Sequence, residues 1–290
     1  MIGYNESMSI MSVLIFVFIF GTIIGSFLNV VILRFNSGKT VLGRSGCFSC
    51  GKELKWYELV PILSFFFLGG RCSQCKARIS IQYPLVELTS GLLFVYLFFE
   101  TFLSGGLFNL SAISYQLFIL SCLLWSSLLV IAVYDIRHQI IPNFFSFLFF
   151  ITSALITYIG GTQNGNSFVS DHLLGAFIVG GFLFLVWLLT RGRGMGFGDV
   201  KLAVSMGLYL GVAEGLSAMA FAFWIGAVYA LSMLGRSRLT GGAHRNQLSS
   251  GRKQLTMKSK VPFGPFLIIG TFLALALGSD VFHIALLFNV

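Results

Sequence analysis

The sequence predicts an all-α polytopic membrane protein of about eight transmembrane helices, carrying one small cytoplasmic four-cysteine zinc-binding loop domain. Three observations lead there. Hydrophobic residues make up 56% of the 290 residues and charged residues 10%, against roughly 25% charged in an ordinary soluble domain. The apolar residues fall in runs near the ~20 that a span requires. All nineteen Lys and Arg fall in four windows: 34–78, Arg137 alone, 191–201 and 236–260. Basic loops stay on the cytoplasmic side, so the windows mark one face. The formal charge of +9 is thereby assigned to membrane topology and not to nucleic acid.

The elements follow in order. A first span over 10–33 has no Lys or Arg before Arg34, so it lacks the basic start of a cleavable signal peptide and is expected to be retained. The basic loop 34–80 follows. A second span, 84–103, leads to an outer Gly/Ser turn at 104–112. A third, 114–134, ends at Asp135. Residues 136–141 form a short loop before Pro142, a natural first-turn residue. The fourth span is 143–159, then a polar Gly/Asn stretch at 160–171, then the fifth span at 172–190. A break near Gly211 to Gly215 divides 200–234 into a short sixth span, 200–213, and a seventh, 216–234. A Gly/Ser-rich basic loop, 235–260, precedes an eighth span from Pro262 to about 283. With the N-terminus outside, Glu6, Glu100, Asp171, Glu214 and Asp280 lie near the outer face and Asp135 and Asp199 at the inner face. No internal repeat is evident. The expected division is a first helix (1–33), a zinc-binding loop (34–80) and a membrane-embedded core (81–290).

Cys47-x2-Cys50 and Cys72-x2-Cys75 frame the first loop with 21 residues between the pairs. Each pair can present two thiolates to one metal, and two pairs close a tetrahedral site. Thiolates suit zinc, which holds a fold without redox change; a cytoplasmic loop is a poor place for stable disulfides. Redox-active CxxC pairs and an iron–sulfur cluster are the alternatives. Cys122 lies within a span and reads as a small packing residue.

The two inner-face aspartates are the candidate catalytic pair. A carboxylate in an apolar segment is costly and is a functional hypothesis by default. Two neighbouring carboxylates in a low-dielectric site share a proton, which permits one to activate water and the other to support an oxyanion. Gly196 and Gly198, in Gly196-Phe197-Gly198-Asp199, give the second aspartate a permissive loop. The competing reading is two helix-end residues in contact with water: capping accounts for Asp199, but the dipole at a helix C-terminus disfavours Asp135. His138 is a possible proton carrier, although a solvated loop histidine is the simpler reading.

Together these residues resemble the bacterial prepilin peptidases. The likeness runs through Gly25-Ser-Phe-Leu-Asn29 with Arg34, the double CxxC loop with Trp56, Pro61 to Ser64 and Gly70-Arg71-Cys72, then Ile79-Ser80, Tyr83-Pro84 and Val86-Glu87. Asp135 with Ile141-Pro142-Asn143, Gly196-x-Gly198-Asp199-Val200-Lys201, and Pro262-Phe263-Gly264-Pro265 complete it. The first CxxC has Phe48 where the family often has proline, and the Trp56 to Pro61 segment also departs from the usual pattern. The resemblance implies a Gly-x-Gly-Asp aspartic peptidase of the bacterial inner membrane, with Asp135 and Asp199 as its pair. Its implied substrates are type IV prepilins or type II secretion pseudopilins, cut at the cytoplasmic face after a glycine. It also implies N-methylation of the new N-terminus with S-adenosylmethionine, a step associated with the first loop. Glu58, Gly70 and Glu87 are candidates for that cofactor by position only; their competing roles are loop solvation, ion pairs to Arg71 or Arg78, and a tight turn. Glu53, Glu58 or Glu87 could instead attract a basic leader. Two other functions compete: a peptidase whose zinc loop is purely structural, and a cation- or proton-coupled transporter. The transporter reading expects acids at mid-membrane, not at one face.

Overall fold

The computed structural model describes residues 2–38, 40–103, 111–240 and 262–278, with side chains left aside at 2–9, 234 and 236–240. The outer turn expected at 104–112, most of the basic loop 235–260, the Glu6 side chain and Asp280 therefore lie wholly or largely outside the described residues. Eight α-helices account for most of the described residues, chiefly outside the segment 35–81: α1 Ile2–Arg34, α2 Leu63–Phe67, α3 Gln82–Phe102, α4 Ala112–His138, α5 Asn143–Asn164, α6 Asn166–Leu189, α7 Phe197–Thr240 and α8 Gly264–Leu277. Six of these are long and apolar enough to cross a membrane. One of the six, α7, is two helices joined at Gly211, where φ is 79° and ψ is −169°. With the shorter apolar α8, the expected series of about eight apolar helical segments is present.

Contacts divide the chain into two compact units, Met1–Val130 and Ile131–Val290. In the first, α3 packs along α1, and Ser90 Oγ donates to the Gly21 carbonyl at 2.7 Å. Asn29 joins the same pair of helices: its Nδ2 donates to Tyr83 O at 3.2 Å and its Oδ1 accepts from Gln82 Nε2 at 3.3 Å. A ring cluster of Phe98, Phe102, Tyr115 and Phe118 seats the start of α4 on the end of α3. The sequence-based division placed 81–290 in one core; by contacts, α3 groups with α1.

In the second unit α7 is the central element, packing on α5, α6 and α8. It approaches α6 closely. A Cβ placed on Gly207 would sit 2.2 Å from Gly175 O, so backbones touch there as small-residue pairs allow in membranes. The break at Gly211 is stabilised by side chains. Leu208 O and Val212 N would be ladder partners in an unbroken helix. Here Leu208 O accepts from Thr157 Oγ1 at 2.8 Å and lies 2.9 Å from His172 Nδ1. Val212 N faces Asp171 Oδ2 at 3.4 Å.

Three expectations are corrected. Asp135 does not end its helix; α4 continues to His138, and Gln139 N donates to Asp135 O at 2.8 Å. Pro142 stands at the N-cap position of α5, one residue before the first turn. The polar stretch 160–171 is helical apart from Gly165, whose φ of 86° turns α5 into α6. Its Asn, Thr and Ser residues suggested a loop, but the two helices bury Gly160 and His172 there, and packing overrides weak propensity.

A branched side chain at position 207 tests this account of the core. Gly207→Val is expected to lower the thermal midpoint of the detergent-solubilised protein by several degrees relative to Gly181→Val, where a Cβ meets nothing within 4 Å.

Candidate active site and metal centre

The carboxylate site is assembled from helix ends within the second unit. Asp135 lies in the last turn of α4 and Asp199 in the first turn of α7; both are buried, at 4% and 6% exposure, and they interact electrostatically. Asp199 occupies the third helical position, and its Oδ2 accepts the Gly196 N–H at 3.2 Å. This is the back-reaching half of a capping box. The sequence anticipated capping by Asp199, though from in front of the helix; the geometry fixes the carboxylate from inside it, with Gly196 as the donor.

Asp135 is held differently. A Cβ on Gly264, the first residue of α8, would lie 2.7 Å from Asp135 Oδ2. A side chain at 264 would displace that oxygen. The Gly264 amide bears on the Asp135 carboxyl group, yet Oδ2 itself has no hydrogen-bond partner among the described residues. Ile141 closes the gap between the two helix starts. A Cβ on Gly198 would meet Ile141 Cβ at 2.9 Å, and one on Gly264 would meet Ile141 Cδ1 at 3.4 Å. Lys201 Nζ donates to Asn143 Oδ1 at 2.9 Å, tying the first turn of α7 to that of α5, and lies 5.3 Å from the Phe197 ring centre. Sequence reading quoted Ile141, Asn143, Lys201 and Gly264 as motif members but gave them no part in the site. His138 stacks on Tyr134 at 4.4 Å between ring centres, so the structure does not bring it into this arrangement.

An apolar groove of about 500 Å³ lies along α6 and α7, lined by residues that include Gly180, Phe184, Phe197, Val200, Lys201 and Val204. At about 100° per residue, Asp199 points nearly opposite to this stripe, so the groove is not the carboxylate site.

The first loop builds a second site, in the first unit. The Sγ atoms of Cys47, Cys50, Cys72 and Cys75 all lie within 4.8 Å of one another, and Cys47 and Cys75 are 3.7 Å apart. Four thiolates around one zinc at about 2.3 Å stand roughly 3.8 Å apart, so the donor set fits a tetrahedral ion. Each pair sits in the same hairpin knuckle. Cys47 N donates to Lys52 O and Gly51 N to Cys47 O; Cys72 N donates to Ala77 O and Lys76 N to Cys72 O. Gly46 bridges Glu53 as Arg71 bridges Arg78, and Gly51 and Lys76 take matching φ values of 71° and 59°. Residues 46–53 and 71–78 are thus a structural repeat, correcting the expectation that the chain contains none. The signal was the common Cys-x2-Cys spacing, too short to stand out without its hydrogen bonds.

The three methyl-donor candidates are placed separately. Glu58 is buried under the knuckles. Its carboxylate accepts from Lys55 N at 2.8 Å, from Lys52 Nζ at 2.9 Å and from the Ser73 hydroxyl. These bonds, the Lys55 amide foremost, hold its pKa down to about 2, so it stays ionised wherever thiolates bind metal. Neither Arg71 nor Arg78 is its partner. Glu87, on α3, is buried and accepts the Ile62 N–H at 2.7 Å. Gly70 has φ of 65° beside the Phe65 ring, the tight turn anticipated for it. Glu53 pairs with Arg44 at 2.7 Å on the surface.

The comparisons with known proteins agree with this geometry. Residues 19–101 match the bacterial peptidase A24 N-terminal domain, and residues 122–231 match the type IV leader peptidase family. Among curated relatives, the prepilin leader peptidase/N-methyltransferase of Bacillus subtilis is 35% identical, over 91% of this chain and 94% of the relative. Its namesake in Myxococcus xanthus is 33% identical, over 76% of this chain and 63% of the relative. That of Pseudomonas aeruginosa is 28% identical, over 90% and 89%. No solved structure matches the chain.

The metal site is tested through its own donors and their support. Cys47→Ser is expected to remove the bound metal, one ion per chain falling to none by elemental analysis. Glu58→Gln, which leaves Lys52 without its carboxylate, should weaken zinc affinity about 10-fold in competition with a chelator. With Asp135 and Asp199 both inside the second matched stretch, and with the Bacillus subtilis relative matched over nearly its whole length, this chain belongs to the type IV leader peptidase family.

Proposed function

We propose that the chain cleaves the leader peptides of type IV prepilins or type II secretion pseudopilins, with Asp135 and Asp199 as the catalytic pair, and then N-methylates the new N-terminus. The observation that carries the peptidase reading is the interaction of two buried carboxylates, one in the last turn of α4 and one in the first turn of α7. One carboxylate, ionised, takes a proton from water as the water oxygen attacks the scissile carbonyl carbon. The other, protonated, donates to the developing oxyanion. Collapse of the tetrahedral intermediate breaks the C–N bond, and a proton passes from the pair to the leaving amine. The proton is shared, so neither residue is assigned a fixed role. Gly196 donates its amide to Asp199, and Gly264 leaves space beside Asp135 Oδ2.

The positive-inside distribution of Lys and Arg supports a multi-pass protein of the bacterial inner membrane, N-terminus outside, with this pair at the cytoplasmic face. A substrate whose basic leader stays in the cytoplasm while its apolar helix enters the bilayer would present its cleavage point at that depth. The loop 34–80 is assigned structural zinc at Cys47, Cys50, Cys72 and Cys75, and association with methyl transfer from S-adenosylmethionine. Since Glu58 and Glu87 are occupied by internal partners, they support the loop's shape, and the methyl donor is read as binding elsewhere in it. A transporter is not supported: the family match and the helix-end placement of both acids argue against a mid-membrane ion path.

Proteoliposomes containing a prepilin separate these claims. Asp135→Asn and Asp199→Asn should each cut cleavage by at least about 10³-fold, while methyl transfer from labelled S-adenosylmethionine to a pre-cleaved pilin continues. Full cleavage by either variant rejects the pair.

A further inference from the structure

Segment 56–67 of the first loop carries more exposed apolar surface than a water-facing loop requires. Trp56 is 80% exposed, Phe66 71% and Phe67 86%, with Leu63 at 54%. Contiguous apolar exposure on this scale marks an interaction site.

The depth of this segment is fixed by one hydrogen bond. Ile62 N, immediately before α2, donates to Glu87 Oε2 at 2.7 Å. Glu87 is the sixth residue of α3, a helix apolar enough to span the membrane from Gln82. It also packs on the middle of α1: a Cβ on Gly25 would lie 2.7 Å from Glu87 Cα. Gly25 is nine residues before Arg34, where α1 ends, which at 1.5 Å per residue is about 13 Å along the helix. Glu87 lies five residues into α3, about 7.5 Å from its start, so the start of α2 is held alongside the first turns of that apolar helix and not beyond its end.

The backbone there is suited to that depth. Ile62 adopts φ of 62° and ψ of −55°, a γ-turn geometry that is rare and strained and unusual for a β-branched residue. It persists because Leu63 N donates to Pro61 O while Ile62 N is taken by Glu87. Ser64, Phe66, Leu68, Gly69 and Gly70 also donate their amides within the segment. Amides bonded within the segment need no water partner, which lowers the cost of setting its apolar side chains against lipid. Lys55, Arg71 and Arg78 flank it and are exposed, whereas the loop's two acids, Glu53 and Glu58, are consumed by Arg44 and Lys52. The flanks thus present net positive charge, which complements anionic headgroups.

We propose that α2 and its flanking aromatics are a re-entrant membrane element: Leu63, Phe66 and Phe67 contact acyl chains in the leaflet where α1 ends and α3 begins, with Trp56 at the interface. The zinc knuckles are then held against the bilayer by Glu87 and are not a freely tethered domain. This inference does not depend on the assignment of the carboxylate pair.

Benzoylphenylalanine at position 67 of the full chain, in nanodiscs of phosphatidylglycerol and phosphatidylcholine, tests it by photocrosslinking and intact mass. Phospholipid adducts are expected several-fold above those at position 42, where Leu42 is 99% exposed in the same loop. In the position-67 background, Glu87→Ala should reduce the adduct and Glu87→Gln, which keeps an acceptor oxygen, should restore it. Zinc content confirms that each variant retains its knuckles. Lipid labelling at 67 no greater than at 42, or crosslinks only to a second copy of the chain, would overturn the proposal.

Discussion

The structure depends on bringing two carboxylates together where water is scarce. An ionised side chain inside a membrane protein is tolerated only where the surrounding protein supplies polar partners or a task. Here that supply comes from helix ends. Gly196 offers an amide to Asp199, and Gly264 presents bare backbone to Asp135. Gly264 and Gly198 could not carry a side chain without altering the arrangement: at 264 a Cβ would meet the Asp135 oxygen, and at 198 another would meet Ile141. The glycines of these motifs therefore act as space for carboxylates and for Ile141 more than as sources of flexibility.

The packing of the second unit serves the same constraint. α7 must start at Asp199 and yet pack along α5, α6 and α8. The break at Gly211 lets one chain segment do this. The backbone groups it releases are taken by Thr157, His172 and Asp171. In a low-dielectric environment an unmet carbonyl or amide costs as much as a lost hydrogen bond, so these polar residues in apolar helices are structural partners of the kink. Sequence reading placed the break within Gly211 to Gly215 but gave His172 no role. A lone histidine in an apolar helix carries no spacing signal, and its partner is a backbone carbonyl in another helix.

The legible features were those written in local composition. The spans, the four thiols and the two aspartates follow from hydropathy, spacing and charge. Tertiary contacts decided the rest. Glu58 looked available for a ligand because sequence does not show Lys52 and Ser73 folding over it. Glu87 looked similar because its partner, Ile62 N, is 25 residues away and turns toward it only through a strained γ-turn. The polar stretch between α5 and α6 read as a loop because helix propensity there is weak, while the deciding factor is burial against neighbouring helices. Element ends shifted by a few residues: α4 runs one turn beyond Tyr134, and Gln139 N still bonds to Asp135 O.

The central claim is that Gly264 exists to leave room for a catalytic oxygen of Asp135. The methyl of Gly264→Ala would press on the end of a movable side chain, so the fold should survive while the carboxylate shifts. Single-turnover cleavage of a prepilin by this variant, measured beside its thermal midpoint, is the direct test. The account predicts a rate lower by on the order of 10²-fold at a midpoint close to that of the unsubstituted chain. A rate equal to the unsubstituted enzyme's would contradict it.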